Sequence, residues 1–256
     1  MSRRTLTGLA AVGISLAFLA GCGDSGGAVV GKPAGVESTG NGDNPFEGKS
    51  SQEIQKLVTA AMAEVESVRV SADLINDGSS MTMVMSMDRD SNCDGSLSMG
   101  GGRADIKGDT THSFMKGDRA FWIQSAGSEE QAEPVLKILG DKWVRTAAGS
   151  DDGFSDVCDL DGLLDEFESS DADGTTTVGA VSTVDGVEVV ELSGDGDDDG
   201  DTTRMWVSVS APHRIVKMKV EGGDEPGEFH FSKFNEPIEV ELPGDGEWVD
   251  LSNLGG

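Results

Sequence analysis

Two hydrophobic periods alternate along the chain. Ile54, Leu57, Val58, Ala61, Val65 and Val68 recur at helical spacing, with Gln, Lys and Glu between them. Ser50-Ser51-Gln52-Glu53, just ahead, has the form of a capping box, so a helix is predicted to start there. From Val68 the period becomes two. Val68, Val70, Ala72 and Leu74 alternate with polar residues, and Asn76-Asp77-Gly78 makes a turn. Met81, Met83, Met85 and Met87 then alternate with Thr82, Val84 and Ser86. Further strands are predicted at 93–99, 104–108 and 111–115, separated by Gly-rich turns as in an antiparallel meander. A helical insert is predicted over 128–139, ended by Gly140 and carrying a potential kink at Pro134. Trp143-Val144 resumes strand. A second amphipathic helix is predicted over 155–167, with Val157, Leu160, Leu163, Leu164 and Phe167 on one face. The rest reads as strands at 175–184, 187–192, 203–210, 214–220 and 228–234, with a hairpin turn at Asp185-Gly186. Residues 238–242, just after Pro237, are expected to close the sheet. The sum is an α+β fold of roughly ten short antiparallel strands with helices on one side.

The N-terminus has a different pattern. Arg3 and Arg4 precede an apolar run over 6–20, too short for the about 20 residues that span a ~30 Å bilayer core. This is the form of a secretory signal. It ends in Leu19-Ala20-Gly21-Cys22, which resembles the lipobox of bacterial lipoproteins. That resemblance implies a signal peptide over 1–21 and a diacylglyceryl (palmitate-type) lipid on Cys22. Two or three acyl chains, at about 0.8 kcal/mol per buried methylene, anchor stably where one does not. Residues 22–49 then read as a flexible tether, with eight Gly between 23 and 48 and almost no large apolar side chain. It would hold residues 50–256, read as one domain, on the order of 25–30 Å from the membrane. Ser2-Arg3-Arg4-Thr5-Leu6 partly matches a twin-arginine signal, so the general secretory and twin-arginine routes both stay open.

Composition narrows the partners. The chain of 256 residues holds 47 Asp+Glu against 19 Lys+Arg, a formal charge of −28. No basic surface is available to neutralise phosphates, which excludes nucleic acid and attraction to anionic headgroups. Eighteen of the acids lie between Asp151 and Thr203, a stretch without one Lys or Arg. It reads as a solvated acidic face, or as a flank for a basic partner or cations. Tyr is absent and His occurs three times. That leaves few general acids and bases, so neither an enzyme nor a cofactor is expected.

The ordered pieces together resemble a known family. After the lipobox comes a helix ending Val65-Glu66-Ser67-Val68-Arg69-Val70, then a meander. Next are Met115-Lys116-Gly117-Asp118-Arg119-Ala120-Phe121-Trp122 and Asp141-Lys142-Trp143-Val144, and finally residues 231–243, FSKFNEPIEVELP. This is similar to the LppX/LprG-type actinobacterial lipoproteins, of the LolA/LolB-like superfamily. The resemblance implies a strongly curved antiparallel half-barrel, with helices covering the concave side and acyl chains of lipids or lipoproteins held between them.

Met81, Met83, Met85 and Met87 are the first candidates for such a cavity, since Met repacks readily around varied apolar partners. Leu97, Met99, Met205, Val207, Met218, Phe229 and Phe231 would join them from neighbouring strands; the alternative is that all eleven fill a dry core. Trp122, Trp143, Trp206 and Trp248 are candidates to guard a mouth, although Trp143 reads as a core anchor and Trp206 belongs to the opposite sheet face. Cys93 and Cys158, an even pair in an exported domain, argue for a disulfide. Residues 195–201 match the start of an EF-hand loop, but position twelve is Trp206 and strands flank it, so a solvated hairpin tip stands beside the calcium reading. His112, His213 and His230 share no motif spacing, and no metal site is assigned. The expected protein is a monomeric lipoprotein on the extracytoplasmic face of the cell membrane, carrying a lipid or glycolipid ligand. An acidic scaffold with a filled core and no cargo is the alternative.

Overall fold

The computed structural model describes residues 43–76, 78–148, 156–168, 175–194, 202–222 and 226–250. Cys22, the signal segment and the 195–201 loop lie outside the described residues. In chain order the elements begin with α1 (Ser51–Ala63), β1 (Ser67–Asn76), β2 (Ser79–Asp88), β3 (Cys93–Met99), β4 (Gly102–Gly108) and β5 (His112–Gly117). Helices α2 (Arg119–Ala126) and α3 (Glu129–Leu139) follow, then β6 (Trp143–Ala147), a 3-10 turn (Asp156–Cys158) and α4 (Leu160–Glu168). The chain finishes with β7 (Thr177–Val184), β8 (Val187–Ser193), β9 (Thr202–Ser208), β10 (Ile215–Glu221), β11 (Gly227–Ser232) and β12 (Trp248–Asp250). The twelve strands form a mostly antiparallel sheet that does not close into a barrel, with β12 and β7 as its ends. With four helices among the described residues, this fits the α+β half-barrel class.

Several local expectations need correction. Residues 238–242 form no strand, and the last strand is β12, which runs parallel to β6. Helix α2 was not foreseen. The first helix stops at Ala63, so Val65 lies beyond it and Val68 already belongs to β1.

The chain divides into two compact units. The first holds Val65–Glu168 and, of the later chain, the described residues 226–250; the second holds described residues 43–64 and 175–222. In the first, the strand order is β12-β6-β5-β4-β3-β2-β1-β11. Its facing residues make continuous rows across the sheet, because paired residues of neighbouring strands share a face. One face carries the rows Phe229–Ala72–Met83–Leu97–Ala104 and Phe231–Val70–Met85–Gly95–Ile106–Met115–Val144. The other carries Ser232–Arg69–Ser86–Asp94–Lys107–Phe114–Arg145–Asp250. Strict alternation in the sequence has thus produced one apolar and one largely polar face.

The second unit has the order β10-β9-β8-β7, with apolar rows Val181–Val190–Val207–Ile215 and Val178–Leu192–Met205–Met218. Helix α1 opens with the expected capping box: Glu53 N–H donates to Ser50 Oγ at 3.3 Å, and Ser50 N–H donates to Glu53 Oε2 at 2.9 Å. It buries Ile54, Val58, Ala61 and Met62, and Ile215 N–H donates to Met62 Sδ at 3.4 Å. Ahead of α1, Phe46 is fully buried and meets His213 edge-on, ring centroids 5.1 Å apart.

Candidate functional site

The apolar face of the first unit is built by β2 and its neighbours. Val68, Val70, Ala72 and Leu74 of β1 stand opposite Met87, Met85, Met83 and Met81 of β2. On the other side, Met81 opposes Met99, Met83 opposes Leu97, and Met87 opposes Cys93. All four β2 methionines therefore lie on one face, as their spacing predicts. Burial is graded along that face. Met85 and Met87 are 0% and 3% exposed, whereas Leu74, Met81, Met83 and Met99, toward the β1–β2 turn, are half-buried.

Helices from the first unit are seated against both ends of this face. At one end, α2 lies on Gly102 and Gly117, where a Cβ would come within 2.0 Å of the Phe121 nitrogen and 2.5 Å of the Phe121 ring. Asp118 fixes the helix there. Its carboxylate accepts from Phe121 N–H at 2.8 Å as an N-cap and from Arg103 N–H at 3.1 Å, and its own N–H donates to the Arg103 carbonyl at 2.8 Å. Gly127, in the left-handed region at φ 81°, ends α2, and Ser128 caps α3 immediately afterwards. Arg119 bridges the two helices by pairing with Glu129 and Glu133. These hydrogen bonds and charges hold the Glu133 carboxyl below the usual range and push the Arg119 guanidinium up, Glu133 being its stronger partner.

At the other end, a disulfide joins Cys93 of β3 to Cys158, with Cα atoms 5.5 Å apart. Cys93 occupies the row of Met87, so the bridge pins the 3-10 turn to the apolar face. Arg89, just beyond β2, pairs with Asp161 of α4, and Leu160 and Leu164 are buried. The half-buried strip of Leu74, Met81, Met83 and Met99 is an apolar surface of flexible side chains. Covering it with hydrocarbon would contribute about 25 cal/mol per Å².

Eight of the eleven lining candidates fall in this unit: Met81, Met83, Met85, Met87, Leu97, Met99, Phe229 and Phe231. Phe229 and Phe231 oppose Ala72 and Val70 and are buried. Met205, Val207 and Met218 belong to the second unit. There Val207 and Met218 are fully buried, at 0% and 1% exposed, while Met205 is half-buried. Leu74 and Phe121 were missing from the candidates. Leu74 was visible in the β1 alternation, but Phe121 lies in a helix that periodicity did not show.

The tryptophans do not line this face from the sheet. Trp143 and Trp248 sit on the polar face, paired across β6 and β12, where Arg145 stacks on Trp248 at 3.5 Å and bonds Asp250 at 2.6 Å. Trp143 is half-exposed rather than a core anchor. Trp206, in the second unit, alternates with Met205 and Val207 as expected, with Lys217 5.1 Å from its ring. Trp122, on α2, meets Phe121 edge-on at 5.4 Å. The three histidines bond locally: His112 with Thr111, His213 with the Ser208 carbonyl and His230 with Glu228. Among the described residues, no three His, Cys, Asp or Glu side chains gather as a metal site, and no helix is long and apolar enough to cross a membrane.

No family model and no curated relative matches the sequence. Solved structures do match. Lipoprotein LppX of Mycobacterium tuberculosis is 16% identical, with a TM-score of 0.46 over 75% of this chain and 97% of that one. LprF of Mycobacterium bovis is 13% identical, with a TM-score of 0.51 over 75% of this chain and 96% of that one. An uncharacterized conserved protein of Thermus thermophilus is 8% identical, with a TM-score of 0.35 over 79% and 99%. The expected likeness to LppX/LprG-type proteins is therefore found in the structure, and at 13% identity the likeness to LprF is one of fold.

Proposed function

We propose that this protein is a monomeric lipoprotein, anchored through Cys22 on the extracytoplasmic face of the cell membrane, whose folded part binds the acyl chains of a lipid or glycolipid. The observation that carries the binding reading is the half-buried strip of Leu74, Met81, Met83 and Met99 on an otherwise closed apolar face. Each of these side chains gains by removal from water, and Met adapts to chains of different shape. The fold shared with LprF supports this reading, and the lipobox sequence motivates the anchor. Met85, Met87, Leu97, Phe229 and Phe231 continue the lining on the same face of the first unit, whereas Met205, Val207 and Met218 belong to the apolar face of the second unit.

Native mass spectrometry tests the proposal on unacylated protein refolded with a lipid extract. The expected result is a bound lipid mass that falls away when Met81 and Met83 are replaced by Glu. A ligand-free monomer with no affinity for the extract overturns it.

The full burial of Met85, Met87 and Val207 favours the second reading, an acidic scaffold with a filled core. Its interactions would run through the acidic stretch 151–203 and weaken steeply with salt; salt-insensitive association would exclude it.

A further inference from the structure

The polar face of the first unit holds a groove of about 410 Å³, on the opposite side of that sheet from the methionine strip. Its floor belongs to the row Ser232–Arg69–Ser86–Asp94–Lys107. Its wall is the connection from β11 to β12, which crosses this face without pairing as a strand. Two side chains hold the wall by its carbonyls: Ser67 Oγ donates to Glu236 O at 2.6 Å and Lys107 Nζ to Glu241 O at 2.7 Å. The connection leaves β11 through Lys233 and Asn235, both in the left-handed region at φ 52° and 59°. Non-glycine residues are uncommon there, and such conformations cluster at binding sites.

The cations of the groove are unequal. Lys107 is committed to the wall, to Asp94 at 3.6 Å and to the Trp143 ring at 5.8 Å. The Arg69 guanidinium has one polar contact, a long bond to Ser86 Oγ at 3.4 Å, and the Lys233 ammonium has none among the described residues. Elsewhere Arg89, Arg103, Arg119, Arg145 and Arg204 each pair with a carboxylate, as expected in a chain of formal charge −28. Arg69 and Lys233 are neighbours, since Arg69 stands opposite Ser232.

We propose that Arg69 and Lys233 form the seat of an oxyanion, the carboxylate or phosphate of a small ligand. A guanidinium presents a planar fork of donors suited to either group, and the adjacent ammonium adds a second charge. The groove is of small-molecule size. Exposed Glu236, Glu239 and Glu241 stand along its wall and repel polyanions, so the ligand carries one anionic group, and a cationic neighbour on it meets these carboxylates.

The test is an NMR titration of the full chain with sodium acetate, inorganic phosphate and phosphoethanolamine in separate arms. Acetate against phosphate separates the two anions, and phosphoethanolamine against inorganic phosphate separates a headgroup from the free ion. Saturable shifts at the amides of Arg69, Ser86 and Lys233 are expected in at least one arm. Arg69→Gln should then raise the dissociation constant roughly tenfold or more, as loss of a charge-assisted bond requires. Lys233→Gln, an exposed change that leaves the sheet untouched, should weaken binding in the same direction even if the Arg69 variant fails to fold. No saturable shift in any arm overturns the proposal, as do shifts that Lys233→Gln leaves unchanged.

Discussion

Asp109 organises the turn between β4 and β5 with a single oxygen. Oδ1 accepts from Thr111 N–H at 2.8 Å, Thr111 Oγ1 at 2.7 Å and His112 N–H at 2.8 Å. Burial alone would raise its pKa, but the Thr111 and His112 bonds outweigh it and hold the carboxyl below its ordinary value. A carboxylate depressed on folding stabilises the folded state above its unfolded pKa of about 3.9, and that contribution disappears as pH falls through the lower folded value. Asp109→Ala should therefore cost about 1 kcal/mol at neutral pH, a modest figure because solvent reaches and screens this group. The difference from wild type should shrink as pH drops below about 4. Urea unfolding of both proteins at pH 7 and at the lowest pH where they remain folded checks this; an undiminished difference at low pH would contradict the hydrogen-bond account.

At the scale of elements, the disulfide is a covalent constraint within the first unit. Cys93 and Cys158 close a loop with a sequence separation of 65, for which the loop-entropy model gives about 4 kcal/mol. A Cys93→Ala, Cys158→Ala double variant should unfold at markedly lower urea, and an unchanged midpoint would rule the bridge out as a stabiliser. This bridge was legible as a pairing of two cysteines, but its partner elements were legible only in part. The strands of the meander could be read because Val68 to Leu74 and Met81 to Met87 alternate strictly, and a half-buried strand requires that alternation. The same period misled at 238–242, where Ile238 and Val240 alternate with glutamates. Alternation marks an extended chain with two unlike faces; it does not say whether the backbone has a ladder partner. Helix α2 was hidden for the opposite reason. Its eight residues, RAFWIQSA, lack an apolar stripe. The helix is fixed instead by Asp118 and by the absence of side chains at Gly102 and Gly117 beneath Phe121. Of the candidate site, the methionine row was legible, whereas its gradient of burial depends on which helices cover which end.

Charge is the property that belongs to the molecule as a whole. With 47 acids against 19 bases, the folded chain holds far more like-charge pairs than ion pairs. Compaction brings those carboxylates closer together than they are in the unfolded chain, so their repulsion opposes folding. Salt acts on both kinds of interaction. It weakens bridges such as Arg204–Glu221 and Arg103–Asp105, whose side chains remain accessible to solvent and contribute little individually. It also shortens the range of the repulsion, from a Debye length of roughly 10 Å at 0.1 M to about 3 Å at 1 M. The repulsive pairs are more numerous and act over longer distances, so screening should favour the folded state. Thermal denaturation followed by circular dichroism should give a Tm that rises by several degrees between about 0.02 M and 0.5 M NaCl, with most of the rise at the low end, where the Debye length changes fastest. A Tm that falls over this range would mean that the ion pairs outweigh the repulsion, and that the acidic residues are arranged as paired networks rather than as a solvated face.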